Sequence, residues 1–94
     1  MPVFKLNLEK SYYEKGFFNV TVDFDRYVGG TGPIELILGK SGRKVMGKID
    51  RSANRNGTPR IMGGAPLRDW FQANYALGDA VDVDLSSVTS IRMG

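Results

Sequence analysis

Gly78-Asp79-Ala80-Val81-Asp82-Val83-Asp84-Leu85 decides the fold. From Ala80 it alternates strictly, with Val81, Val83 and Leu85 on one side and Asp82 and Asp84 on the other. A period of two is that of a half-buried strand. Working outward, Val88 to Met93 reads as the next strand, with Ile91 inward, after a turn at Ser86-Ser87. Upstream, Leu67, Trp70 and Phe71 fall at i, i+3 and i+4, a short amphipathic helix with Pro66 in its first turn. Before it, Pro59-Arg60-Ile61-Met62 is a short strand stopped by Gly63-Gly64.

Strands continue toward the N-terminus. Arg43 to Asp50 places Val45, Gly47 and Ile49 on one face, and Gly47 marks a bulge or a close backbone approach. Ile34-Glu35-Leu36-Ile37-Leu38 has a fully apolar face of Ile34, Leu36 and Leu38. Phe4, Leu6 and Leu8 share a face of the first strand, and Phe17-Phe18-Asn19-Val20 is the second. These two are expected to pair as a hairpin across a long polar loop, Glu9–Gly16. Thr21 is placed to cap a second short helix, Val22 to Val28, with Asp23 and Asp25 near its positive end. Seven short strands and two short helices, separated by turns, make a mainly β chain and suggest a small barrel whose closure removes free edges.

Composition narrows the function. Ninety-four residues with 41% hydrophobic and 24% charged side chains suit one soluble domain, residues 1–94. Twelve glycines and four prolines suit many short turns. There is no cysteine and no histidine. Thiol nucleophiles, zinc fingers, imidazole metal sites and Ser-His-Asp catalysis are therefore excluded. Asp82 with Asp84, or Asp23 with Asp25, could hold a hard cation, but outward acidic alternation is ordinarily a solvated face. Gly29-Gly30-Thr31-Gly32 lacks the lysine of a phosphate-binding loop and reads as a turn. The expectation is a binding module, not an enzyme, with no metal and no cofactor. No apolar run approaches the ~20 residues of a membrane span, and the start carries no signal-peptide pattern, so the expected location is cytoplasmic.

The charge is uneven. The net charge is +3, yet residues 40–60 hold seven basic side chains against Asp50 alone, a net of +6. Localised basicity is the footprint of a polyanion binder.

The residues that carry a resemblance are the loop Glu9–Gly16, the strand and helix of Phe17–Val28, the basic loop Arg51–Arg60, and the aromatic helix Leu67–Tyr75 running into Gly78-Asp79-Ala80-Val81-Asp82-Val83. In this order they resemble the B-three domain, a DNA-binding pseudobarrel of plant transcription factors and of restriction-enzyme target-recognition domains. The helix-to-strand motif is also similar to one in the swapped-hairpin barrels of bacterial transition-state regulators. The likeness spans nearly the whole chain and is closer to the restriction-enzyme type. Restriction enzymes attach the domain to a nuclease, and these residues hold none. The resemblance implies a seven-stranded open pseudobarrel that reads double-stranded DNA by inserting two loops into the major groove. It implies the recognition module of a restriction-modification or regulatory system, with a separate nuclease or regulatory subunit as a further partner.

The two implied loops are Glu9–Gly16 and Arg51–Arg60. The first offers Lys10, Ser11, Tyr12, Tyr13 and Lys15; one tyrosine is expected to pack and the other to be exposed. The second offers Arg51, Asn54, Arg55, Asn56, Thr58 and Arg60. Arginine can bond guanine O6 and N7 in bidentate fashion, and asparagine adenine N6 and N7. Asn56 before Gly57 reads first as a turn former, whereas Asn54 and Arg55 read as contacts. Lys48, with Lys40, Arg43 and Lys44, suits phosphate contact or a solvated strand. Phe4, Phe17, Phe18, Trp70 and Phe71 are assigned to the core. Barrel aromatics can also stack single-stranded bases, so an OB-like single-strand binder is one alternative and a protein-interaction module the other.

Overall fold

The computed structural model describes residues 2–94; Met1, the first residue of the expected domain, lies outside them. The chain runs β1 (Val3–Asn7), α1 (Lys10–Lys15), β2 (Phe17–Asn19), a 3₁₀ helix (Val22–Tyr27), β3 (Gly32–Leu38), β4 (Arg43–Asp50), β5 (Arg60–Met62), α2 (Gly64–Asn74), β6 (Ala80–Ser87) and β7 (Ser90–Met93). The seven strands form one mixed sheet, ordered β1-β6-β7-β3-β4-β5-β2. Among the described residues only β3 with β7 is parallel; the other pairs are antiparallel. The sheet curls into a half-barrel, as the strand count and turn spacing lead one to expect.

Alternation sets what lies inside the curl. Leu6, Ile34, Leu36, Leu38, Val45, Ile49, Ile61, Val81, Val83, Leu85, Ile91 and Met93 are buried on the concave side. Registers such as Leu6 opposite Val81 and Leu36 opposite Ile91 keep them together. Helix α2 supplies Leu67 and Phe71, four residues apart and both 0% exposed. Phe18 and Val20 of the β2 segment, with Leu8 and Val28, complete the core. Gly47 proves to be a close approach: a Cβ there would stand 2.7 Å from the carbonyl oxygen of Met62, the residue that opposes Lys48 across β4–β5.

Four expectations need correction. The first two strands do not form a hairpin: β1 pairs with β6 and β2 with β5, at opposite ends of the sheet. Nor does pairing close the barrel, since β1 and β2 remain edges. Thirdly, Glu9–Gly16 is largely helix α1, which makes three short helices in place of two. This segment has no apolar stripe of its own and is held by tertiary contacts. The Tyr13 hydroxyl donates to the Tyr75 carbonyl at 3.0 Å, and Gln72 of α2 donates to the Tyr13 carbonyl at 3.0 Å. Gly16 ends α1 at φ 75°, and its carbonyl accepts from the N–H groups of both Gly63 and Gly64. Both tyrosines pack, where one was expected exposed.

The fourth correction concerns aromatics. Phe18 and Phe71 are fully buried, but Phe4, Phe17 and Trp70 are only half-buried. Adjacent strand residues point to opposite faces, so Phe17 and Phe18 cannot both enter the core. Phe17 takes the outer face. Phe4 stacks on Phe24 of the 3₁₀ helix at 5.0 Å, and Trp70 lies between Phe71 and Tyr75. Thr21 does precede the 3₁₀ helix, but its backbone carbonyl, not its hydroxyl, accepts the first bond.

Candidate nucleic-acid interface

The outer face of β2, β5 and β4 is set by register. Phe17 opposes Met62 and Asn19 opposes Arg60 across β2–β5. Lys48 opposes Met62 and Asp50 opposes Arg60 across β4–β5. Helix α1 stands at one side of this face and the loop 51–59 at the other. Between them runs a groove of about 670 Å³ lined by Lys15, Phe17, Met46, Lys48, Arg60 and Met62, with backbone from Gly16, Gly47, Gly63 and Gly64. A second groove of about 540 Å³ lies against the loop, lined by Asn19 to Val22 and by Asn54, Arg55, Asn56 and Thr58. Among the described residues, four cations and no carboxylate line the pair.

The arginines of the basic loop have different lives. Arg51 is spent inside the protein. Its Nε donates to the Gly29 carbonyl at 2.8 Å, one Nη to Asp25 and the Gly57 carbonyl, and the other to the carbonyls of Asp25 and Val28. All five N–H donors of a guanidinium are thereby used, so Arg51 ties the loop to the 3₁₀ helix and has nothing left to offer a base. Arg55 is exposed and, among the described residues, makes no hydrogen bond or ion pair. Arg60 lies over the Phe17 ring, 4.6 Å from its centroid, and its Nε donates to Asn19 Oδ1 at 3.1 Å.

Both asparagines of the loop are engaged within the protein. Asn56 forms the turn: its Oδ1 accepts from the Thr58 N–H and hydroxyl, and Thr58 itself is buried at 6% exposure. Asn54 Nδ2 donates to Asn19 Oδ1 at 3.0 Å and to the Thr58 carbonyl at 3.2 Å. Asp50 turns to Ser52, accepting from its N–H at 2.8 Å and its hydroxyl at 2.6 Å. The Ser52 hydroxyl, then its N–H, hold the Asp50 carboxyl below its ordinary range.

Of the residues read from the sequence, the structure gathers Lys15, Lys48, Asn54, Arg55, Asn56, Thr58 and Arg60 around the two grooves. Lys10 and Ser11 are exposed on the first turn of α1. Tyr12 sits behind Phe17, edge to face at 5.4 Å. Tyr13 is turned to α2, and Arg51 is internal. Lys40 and Arg43 lie at the other end of β4, beside Trp70, Asn74, Tyr75 and Gly94. The 21-residue basic stretch is thus two patches, not one. Asn19 and Phe17 were missed as site residues, although the alternation around buried Phe18 and Val20 marks both as outward. The acidic pairs are taken up singly: Asp25 by Arg51, Asp82 by Lys5 at 2.9 Å.

The fold and site together define a mainly β pseudobarrel with a cationic groove on its outer face. Among solved structures the chain is similar to the N-terminal domain of Helicobacter pylori LlaJI.R1, with a TM-score of 0.68 over 99% of this chain and 79% of that one. The sequence identity is 9%, so the likeness is one of fold. No model of a known protein family matches the chain, and no curated protein does.

Proposed function

We propose that this chain is a sequence-specific double-stranded DNA-binding domain whose outer sheet face and flanking segments, α1 and the loop 51–59, enter the major groove. One observation carries the reading: Lys15, Lys48, Arg55 and Arg60 surround two grooves that, among the described residues, no carboxylate lines. Such a surface attracts phosphates, and it also bears arginine side chains able to read base edges. The likeness in fold to the N-terminal domain of LlaJI.R1 supports the module reading, since that fold there forms one part of a longer protein. On this proposal the domain recognises DNA for a restriction-modification or regulatory assembly, and the chemistry belongs to a partner subunit. The single-strand alternative needs open aromatic platforms; among the described residues the one ring lining these two grooves, Phe17, is already packed against Arg60 and Tyr12.

The test is duplex affinity at stepped salt. Neutralising about four phosphates gives a log–log slope of roughly −3 to −4. Lys48→Glu should weaken binding and flatten that slope. Arg43→Glu, five residues and roughly 17 Å away along the same strand, should leave both unchanged. Loss of binding with Arg43→Glu in place of Lys48→Glu would overturn the proposal, as would duplex binding that ignores salt.

A further inference from the structure

The geometry points to Arg60 as the specificity-determining residue of this surface, its guanidinium selecting a guanine, with Asn19, Phe17 and Asn54 as positioning residues. The inference rests on the duplex-DNA reading above and goes beyond it by naming the reader and the base.

Arg60 occupies β5, a strand paired on both sides, so its backbone is fixed by β2 and β4. Its side chain is fixed as well. The Arg60 guanidinium carbon lies 4.6 Å from the Phe17 ring centroid, and Tyr12 packs edge to face with Phe17 at 5.4 Å. Nε is held by Asn19 Oδ1, which Asn54 Nδ2 also holds from the loop side. One Nη approaches Asn54 Oδ1 at 3.5 Å. This chain of contacts runs from α1 through Tyr12, Phe17, Arg60 and Asn19 to the loop, so both flanking segments set the position of one guanidinium.

The remaining donors suit guanine. A guanidinium has five N–H groups. Nε is committed and one Nη hydrogen faces Asn54, which leaves both hydrogens of the other Nη and one of the first. An adjacent Nη pair is what an end-on approach to O6 and N7 requires. The charge is also uncompensated. Asp50 opposes Arg60 in register, yet its carboxylate bonds Ser52, and among the described residues Arg60 has no ion pair. An arginine already ordered loses less side-chain entropy on reading a base than a free one. Exposed and untethered Arg55 is suited instead to phosphate, which positions without specifying.

The experiment is selection from a randomised duplex library at about 150 mM salt, with the wild type, Arg60→Lys, Arg55→Lys and Asn19→Ala compared after a melting check. The wild type should enrich a motif containing a guanine whose preference falls by roughly 5- to 150-fold in Arg60→Lys, while the salt slope changes by less than about one unit. Asn19→Ala should relax the same position, and Arg55→Lys should keep the motif. Replacing that guanine by 7-deazaguanine, which lacks N7, should weaken the wild type and spare Arg60→Lys. An unchanged motif in Arg60→Lys, or loss of the guanine in Arg55→Lys, overturns the assignment. Salt-sensitive duplex binding with no motif overturns it too and leaves the binding face standing; no duplex binding at all removes both.

Discussion

At the residue scale, three arginines within ten positions do three different things, and the difference lies in their partners. Arg51 joins the loop to groups 22 to 26 residues away. Removing it leaves several carbonyls and Asp25 without donors, so Arg51→Ala should lower stability by roughly 1–3 kcal/mol, read as a lower denaturant midpoint. Arg55→Ala should stay within about 0.5 kcal/mol of the wild type while weakening duplex binding. Equal effects from the two would contradict these roles. No local pattern separates them, because counting arginines gives charge and says nothing of where the carbonyls lie. Asn56 was legible, since Asn-Gly is turn chemistry at short range. Asp50 offers a check on the loop. Its carboxyl is held low, so the stabilisation is present above the ordinary carboxylate range and is lost as pH falls through the lowered value. Ser52→Ala should move the Asp50 titration upward in a carboxyl-resolved NMR experiment; no movement would mean the Ser52 hydroxyl does not bond it.

At the scale of elements, the strands were readable and their partners were not. Period-two patterns placed Val81, Val83 and Leu85, or Ile34, Leu36 and Leu38, on the correct faces, because one face of each strand meets the core. Helix α1 was not readable. Lys10-Ser11-Tyr12-Tyr13-Glu14-Lys15 is too short to be stable alone and draws its order from α2. Gly16 is the joint. It needs a left-handed φ, and a Cβ there would stand 2.1 Å from the Gly64 carbonyl oxygen. Gly16→Ala should therefore cost more than about 1 kcal/mol and loosen α1, seen as faster amide exchange over residues 10–15. Unchanged stability and exchange would show that α1 does not depend on this joint. Tyr13→Phe, which removes one hydrogen bond to Tyr75, should cost only about 0.5–1.5 kcal/mol.

At the scale of the molecule, the strand order β1-β6-β7-β3-β4-β5-β2 brings distant segments to one face. The β2–β5 pair joins Asn19 to Arg60, 41 residues apart, and no sequence period reports such a pairing. The basic stretch 40–60 pointed to a polyanion, but folding divides it along β4, so net charge alone could not say which end binds. The longest principal extent of the described residues is 30 Å, which spans roughly nine base pairs at the 3.4 Å rise of DNA. Hydroxyl-radical footprinting of a bound duplex should protect no more than that per chain; a longer footprint would require a second copy. The most direct test of the central claim is backbone-amide NMR mapping with a duplex at about 150 mM salt. Shifts should concentrate on Lys15, Phe17, Asn19, Lys48, Arg55 and Arg60, with the Trp70 end unmoved. Shifts gathered instead at Lys40, Arg43 and Trp70, or absent from the outer face of β2, β5 and β4, would contradict the claim.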